Sequence, residues 1–151
     1  MGVVVLEHRD RGVARRIRDV QRASYAVEAK LIGFDQMPGL VEDVEDVTNL
    51  TLTILGSLDE SELQGLLGYA RIGDVVGIDR LAVHPAWFRR GTGRSLMEAL
   101  HLREADASRF EVSTGADNCP AIFLYRRLGY EPVGSESKQG VRLMHFARIG
   151  S

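Results

Sequence analysis

Hydrophobic residues along the chain follow strand spacing in some segments and helical spacing in others. Strand-like runs cover 2–7, 50–55, 63–72, 75–83, 109–114, 133–137 and 141–149. After Asp10, a suitable helix cap, one helical stripe contains Val13, Ile17, Val20, Ser24, Val27 and Leu31. Further helices are expected at 40–49, after the Gly91–Gly93 turn, and at 118–128, where Gly129 suits the end. The pattern predicts a mixed α/β layer sandwich with about seven strands and four helices.

Composition restricts the class of protein without naming a function. The chain has 151 residues, 44% of them hydrophobic, which predicts a single domain over residues 1–151 with a substantial core. A net charge of −2 argues against general nucleic-acid binding. The single cysteine, Cys119, rules out an internal disulfide and fits a reducing compartment. With no bilayer-length apolar window and no signal-peptide pattern, a cytoplasmic location away from membranes is expected.

The segment 75–105 combines a strand, a short loop and a helix, and it carries the strongest chemical signal. Pro85 ends the strand because it cannot donate to a sheet, and it restricts His84 before it. Gly91 and Gly93 then lie at a helix start among three arginines. Glycines expose backbone N–H groups, and a helix start adds unpaired donors and partial positive charge. Such a loop can hold a phosphate or pyrophosphate.

Three interpretations of this loop compete. It can be a glycine-rich connection with solvated arginines, which is the commoner meaning of a lone Gly-x-Gly pair. A dinucleotide-binding turn gains some support from Glu111, twenty residues after Gly91. However, Leu96 replaces the third glycine, and the loop is too long for that turn. A P-loop is excluded because no Gly-Lys-Ser/Thr follows. The third interpretation is a coenzyme A site.

Two ordered motifs favour coenzyme A. Residues 81–100, LAVHPAWFRRGTGRSLMEAL, resemble the central motif of the GNAT superfamily of N-acetyltransferases, in which Leu-x-Val ends a strand and Gln/Arg-x-x-Gly-x-Gly/Ala begins a helix. Residues 118–130, NCPAIFLYRRLGY, resemble the family's later Asn-x-x-Ala-x-x-x-Tyr-x-x-x-Gly-Phe/Tyr segment. The resemblance is close over 75–134. One position departs from the pattern, because Phe88 stands where the family has Gln or Arg.

The resemblance implies a GNAT-like three-layer sandwich with a mostly antiparallel, centrally splayed sheet, and it implies acetyl-CoA as the donor. The backbone of the strand end would hold the pantetheine arm like an added strand. The loop and helix start would hold the pyrophosphate. The coenzyme-binding residues carried over in this way are Leu81, Ala82, Val83, Arg89, Arg90, Gly91, Thr92, Gly93, Arg94, Ser95 and Asn118.

Tyr125 and Asp79 are the candidate catalytic residues. Tyr125 lies on a helical stripe and could be plain core, but the resemblance gives this position the role of an acid facing the coenzyme sulfur. Asp79 lies two residues before Leu81, which by strand alternation puts both on one face, and it is the candidate base. A surface salt bridge with Arg80 is the competing interpretation of Asp79. Glu111 and His84 are alternative bases.

Other residue types carry less information. Cys119 is expected to pack, and the four scattered histidines give no metal-site spacing. No Lys or Arg occurs between Leu31 and Ala70, where Asp35, Glu42, Asp43, Glu45, Asp46, Asp59, Glu60 and Glu62 all fall. This acidic segment either serves solubility or forms a negative rim that attracts a cationic amine.

The sequence therefore predicts an N-acetyltransferase in which a primary amine attacks acetyl-CoA directly in a ternary complex. The alternative is a non-catalytic acyl-CoA-binding protein that keeps the GNAT fold. The acceptor amine is not identified by any motif, and a homodimer is compatible with the sequence.

Overall fold

The structure, a computed structural model, describes residues 2–32 and 41–150, without the side chains of residues 31 and 32. The strands are β1 (Gly2–Val5), β2 (Thr53–Asp59), β3 (Glu62–Ile72), β4 (Val75–Val83), β5 (Arg109–Gly115), β6 (Glu131–Lys138) and β7 (Val141–Ile149). The α-helices in this part of the chain are α1 (Arg11–Ile32), α2 (Val44–Thr48), α3 (Thr92–Arg103) and α4 (Cys119–Arg127), and a 3₁₀ turn spans Pro85–Trp87.

The strands form one seven-stranded sheet in the order β1-β2-β3-β4-β5-β7-β6. Every neighbouring pair is antiparallel except β4 and β5, which run parallel. This parallel pairing is only three residues long, from Val75 opposite Arg109 to Gly77 opposite Glu111. Beyond Gly77 the two strands separate, so the sheet is splayed at its centre as the sequence predicts.

Helices cover both faces of the sheet and give three layers. On one face α3 and α4 bury a cluster that includes Leu96, Leu100 and Phe110. On the other face α1 and α2 bury a cluster against β2, β3 and β4, with Ile17 at its centre. The predicted fold class, a splayed three-layer α/β sandwich with seven strands and four helices, is confirmed.

The β2–β3 hairpin is longer than its sequence pattern indicates. Prediction ended this strand at residue 55 and began the next at residue 63, whereas β2 runs to Asp59 and a two-residue turn leads directly into β3. The pattern is hidden because two of the strand residues are polar but buried. The Ser57 hydroxyl donates to Gln64 Oε1 at 2.8 Å inside the structure. Because the two side chains hydrogen-bond to each other, their burial avoids the desolvation penalty that normally keeps such residues on the surface.

Helix caps agree with prediction. Asp10 Oδ1 accepts from the Gly12 amide at 2.9 Å, and Asn118 Oδ1 accepts from the Ala121 amide at 3.3 Å. Gly129 has φ +90°, and the Tyr130 amide that follows it donates to the Tyr125 carbonyl. A glycine in this conformation lets the last carbonyls of a helix find donors, so α4 ends where its sequence predicts.

Candidate functional site

A cleft of about 900 Å³ opens where β4 and β5 separate, and we call it the central cleft. Its walls are the exposed ends of these two strands, and it is closed by the C-terminal half of α1, the N-terminus of α3 and one face of α4. Ser24 and Val27 of the predicted α1 stripe line this cleft instead of packing in the core, where Tyr25 and Ala29 are buried. The stripe therefore faces the interior of the protein, but residues of its second half border the central cleft.

None of the described strands lies beside the β4 edge that borders the cleft. The His84 amide donates back to the Gln64 carbonyl of β3, whereas the Val83 amide points the other way and donates to Ser24 Oγ at 3.2 Å. Successive residues of a strand present their backbone groups to opposite sides. Leu81 and Val83 therefore direct N–H and C=O groups toward the central cleft, whereas Ala82 faces β3 and its side chain packs against the α1 cluster.

The loop before α3 is shaped by two left-handed residues, Arg89 at φ +64° and Gly91 at φ +78°. Gly91 precedes the helix without a side-chain cap, and the first intrahelical bond joins the Ser95 amide to the Gly91 carbonyl. The amides of residues 92–94 are consequently the free donors of the first turn. Among the buried side-chain polar atoms described here, Thr92 Oγ1 alone has no hydrogen-bond partner. These donors suit an oxygen-rich anion.

The arginines around this helix start occupy different surroundings. Arg89, Arg94 and, from α4, Arg127 border the central cleft. Arg90 instead lies over the Trp87 ring at 5.2 Å, and neither it nor Ser95 borders the cleft. Phe88, which differs from the Gln or Arg of the family motif, borders the cleft, and 40% of its surface is exposed. Positive charge therefore surrounds the helix start even though position 88 is aromatic.

Tyr125 borders the central cleft and also belongs to the core, since only 4% of its surface is exposed. Its ring packs near Tyr130 and Phe146, with ring centroids 5.9 and 6.2 Å away. Burial, with a smaller contribution from the negative charge of Glu28, raises the pKa of the phenol above its ordinary value. Tyr125 is therefore protonated at neutral pH, as a proton donor has to be.

Asp79 occupies a bulge in β4, and this corrects the predicted alternation. Gly68 of β3 pairs with Arg80 and the next β3 residue pairs with Ile78, so Asp79 has no partner in β3. Leu81 consequently packs with the α3 side of the sheet, while the Asp79 carboxylate accepts from Arg80 Nε at 2.7 Å. The prediction that Asp79 and Leu81 share a face is wrong because the extra residue reverses the alternation. Asp79 still borders the central cleft, but it is ion-paired.

Glu28 is a cleft residue that the sequence analysis missed. It lies on α1, borders the cleft, and its carboxylate is hydrogen-bonded to the Asn118 side chain. Burial raises the pKa of this carboxyl, and the bond from Asn118 offsets part of the rise. A glutamate at 28 looks like part of the solvated face of a charged helix. Only the neighbouring Ser24, polar within an apolar stripe, signalled that this side of α1 faces something other than core.

Part of the acidic segment takes part in structural contacts. Glu42 forms a two-point ion pair with Arg80 at 2.7 and 3.1 Å, with 13% and 9% of the two side chains exposed. Asp43 and Asp46 cap α2 reciprocally. Asp35 lies outside the described residues. None of the described members of the segment borders the cleft, where the carboxylates are those of Glu28 and Asp79.

The remaining candidates lie apart from the cleft. Glu111 is ion-paired with Arg109 at 2.7 Å, and the His84 ring accepts from the Ala86 amide at 3.0 Å. Cys119 is exposed, so the prediction that it packs is wrong. Within residues 2–32 and 41–150 no three His, Cys, Asp or Glu side chains cluster as metal ligands would. No helix in those same ranges is long and apolar enough to cross a membrane.

Comparison with protein families decides the class. Residues 54–132 match the family model described as the acetyltransferase (GNAT) domain. The chain belongs to the GNAT family. The matched range contains β4, α4 and the loop that precedes α3. Both sequence motifs and most of the central cleft therefore fall inside it.

The chain also resembles a curated relative and several solved structures. Over 142 residues the chain is 34% identical to the UPF0157 protein YqkA of Bacillus subtilis, covering 93% of this chain but 41% of that protein. The ribosomal-protein-S18-alanine N-acetyltransferase of Escherichia coli superimposes with a TM-score of 0.77 at 16% identity, covering 99% of this chain and 94% of that one. PaiA N-acetyltransferase of Thermoplasma acidophilum, solved in complex with coenzyme A, gives 0.76 at 15% identity and 99% coverage of both. At these identities the likeness to the solved structures establishes the GNAT fold.

Proposed function

We propose that this GNAT domain transfers an acetyl group from acetyl-CoA to a primary amine. The observation that carries the proposal is a row of backbone groups that lack backbone partners, in two stretches along the central cleft. It begins at Leu81 and Val83 on the open β4 edge and ends at the uncapped amides of residues 92–94. A long ligand with amide groups at one end and a pyrophosphate at the other matches such a row in both chemistry and order.

Each part of the row suits one part of coenzyme A. The pantetheine amides would pair with the backbone of Leu81 and Val83 in the way an added strand does. The pyrophosphate would accept from the amides of α3 and from the unpartnered Thr92 hydroxyl, with Arg89 and Arg94 supplying positive charge. To receive a pantetheine carbonyl, the Val83 amide would exchange its bond to Ser24 for one to the ligand.

The transfer itself needs an amine without its proton and a protonated leaving group. The amine nitrogen would attack the thioester carbonyl, forming the C–N bond as the C–S bond breaks. The buried phenol of Tyr125, which keeps its proton at neutral pH, would then pass that proton to the departing sulfur. Asp79 was expected as the base, but its carboxylate is held by Arg80 Nε at 2.7 Å and would have to give up this ion pair to take a proton from the amine.

The acceptor is expected to be cationic before it loses its proton. Glu28 supplies a carboxylate to the wall of the central cleft, which would attract an ammonium group. The YqkA protein is more than twice as long as the region that aligns with this chain.

The experiment has two stages. Thermal shift with coenzyme A tests binding, and a stabilising shift is expected. Thiol release from acetyl-CoA is then measured with spermidine, an aminoglycoside, free amino acids and a peptide with N-terminal alanine. Release that depends on one of these amines, with mass spectrometry detecting the acetylated amine, supports the enzyme. Coenzyme binding without transfer to any amine would favour the non-catalytic acyl-CoA-binding alternative, and absence of binding would reject both.

A further inference from the structure

Three polar side chains on adjacent strands form a connected chain that the proposed chemistry has not used. Ser113 on β5 stands directly opposite His145 on β7, and its Oγ lies 2.6 Å from His145 Nδ1. The other ring nitrogen, Nε2, lies 3.2 Å from Glu136 Oε1 on β6. Both ring nitrogens of His145 are therefore engaged, one by a hydroxyl and one by a carboxylate.

The carboxylate determines how protons are arranged in this chain. An ionised Glu136 can only accept, so Nε2 of a neutral His145 carries the hydrogen and donates it. Nδ1 is then the acceptor, and the Ser113 hydroxyl donates to it. A basic lone pair is thus aimed at a serine hydroxyl, and the ring is held in that tautomer by its second bond.

The serine end of the chain reaches the central cleft. Ser113 borders that cleft, and continuing the register two residues beyond the last β4–β5 pair puts it across the opening from Asp79. Its neighbours Phe110 and Val112 are buried with α3 and α4. Alternation along β5 therefore turns Ser113 toward the opposite face of the sheet from the coenzyme loop. An acceptor entering from that face would meet Ser113 beside the thioester.

We propose that Ser113, His145 and Glu136 form a proton relay that deprotonates the acceptor amine. The inference rests on the proposed acetyl transfer and names its base. As the amine attacks, its proton passes to Ser113 Oγ, and the serine proton passes to His145 Nδ1. The resulting imidazolium is stabilised through its Nε2–H bond to Glu136. Because 55% of the Glu136 side chain is exposed, the imidazolium can return its proton to water after each turnover.

The surroundings of His145 favour this role over a purely structural pair. By strand register the charged groups on its face of the sheet are Glu131, Glu136 and Lys138 on β6 and the Glu111–Arg109 ion pair on β5, with Asp79 across the opening. Arg109 is already neutralised by Glu111 at 2.7 Å. The charged group in direct contact with the ring is Glu136, at 3.2 Å from Nε2.

The test compares relay variants in the full chain, with the amine that supports thiol release in the wild type. Ser113→Ala and His145→Gln are expected to lower kcat/KM by roughly 10²-fold or more, the usual effect of a positioned base. Glu136→Gln should lower it less, and Ser113→Thr, which keeps the hydroxyl, should restore most activity. Ser137→Ala, an exposed serine on β6 outside the relay, is the matched control. Coenzyme A affinity should be unchanged in all of them.

The pH profile separates a relay from a structural pair. In the wild type kcat/KM should fall toward acid pH, and His145→Gln should flatten that limb because the variant lacks the base of the relay. Unchanged activity and profile in Ser113→Ala and His145→Gln, with the wild type active, would overturn the relay alone. If the acid limb of the kcat/KM profile persists in His145→Gln but disappears in Glu28→Gln, the base is Glu28 instead. An acetyl group found on Ser113 in a single turnover would replace the relay by a covalent intermediate. A wild type that acetylates no amine would overturn the proposed function itself.

Discussion

Replacing Gly91 with valine should damage stability and coenzyme binding through two separable effects. The backbone cost is set by φ +78°, since a Cβ built on Gly91 meets no atom within 4 Å beyond its chain neighbours. Holding a residue with a Cβ in the left-handed region costs roughly 1–2 kcal/mol. For a domain of this size that corresponds to a fall in Tm of about 2–8 °C.

The binding cost comes from the position of Gly91 immediately before the free amides of α3. A branched side chain there would stand between the first-turn donors and a phosphate. Losing one charge-assisted hydrogen bond costs about 1.5–3 kcal/mol, or roughly a 10- to 100-fold rise in the Kd for coenzyme A. Calorimetric titration of the folded variant with coenzyme A measures this directly.

Gly140 provides a matched control. It has φ +80°, lies in the β6–β7 turn and likewise has no atom within 4 Å of an added Cβ. Gly140→Val should therefore lower Tm by a similar amount while leaving the Kd for coenzyme A unchanged. Equal affinity in the two variants would mean that the phosphates bind elsewhere, and an unchanged Tm in both would refute the strain argument.

Three other substitutions test separate parts of the site. Tyr125→Phe should leave coenzyme affinity and folding nearly intact but lower kcat by roughly 10²–10⁴, measured by thiol release; full turnover with a lowered Tm would make Tyr125 a packing residue. Because burial raises the folded-state pKa of Glu28, its ionisation opposes folding above that pKa, so Glu28→Gln should raise Tm at pH 8. That difference should close as pH falls below the carboxyl's unfolded pKa, and a gap independent of pH would contradict the assignment. Arg80→Met leaves Glu42 buried without its partner and should cost about 3–5 kcal/mol in urea unfolding, which the double variant with Glu42→Leu should largely recover.

Most of the fold was predictable because its strands and helices follow regular spacing. The run at 75–83 and the helix after Asp10 are examples in which local pattern and tertiary role coincide. The second half of β2 failed the pattern, since Ser57 and Gln64 are buried as a pair that neither strand reveals alone. Which residue lies opposite another across a hairpin is determined by the folded structure, and the hydrophobicity of a single residue does not indicate it.

In the candidate site, too, residues that are contiguous in the sequence were predictable and residues that only the fold brings together were not. The coenzyme loop is contiguous, so its glycines and arginines could be found by reading residues 89–94. Glu28 and Asn118 meet only because α1 and α4 both close the central cleft, and Ser113 and His145 meet only through strand pairing. The orientation of Asp79 was missed for a different reason. A one-residue bulge leaves no mark on an apolar run, yet it reverses the faces of the residues before and after it.

The backbone contact between the two halves of the sheet depends on the three-residue pairing between β4 and β5. It is the backbone connection between a four-stranded and a three-stranded half-sheet, and everything beyond it along those strands is held by side-chain packing. A coenzyme lying in the central cleft as we propose would extend that connection with atoms that are not part of the chain. The cellular supply of coenzyme A would then act on the lifetime of the protein as well as on its turnover, because the empty form opens to proteases more often than the filled one.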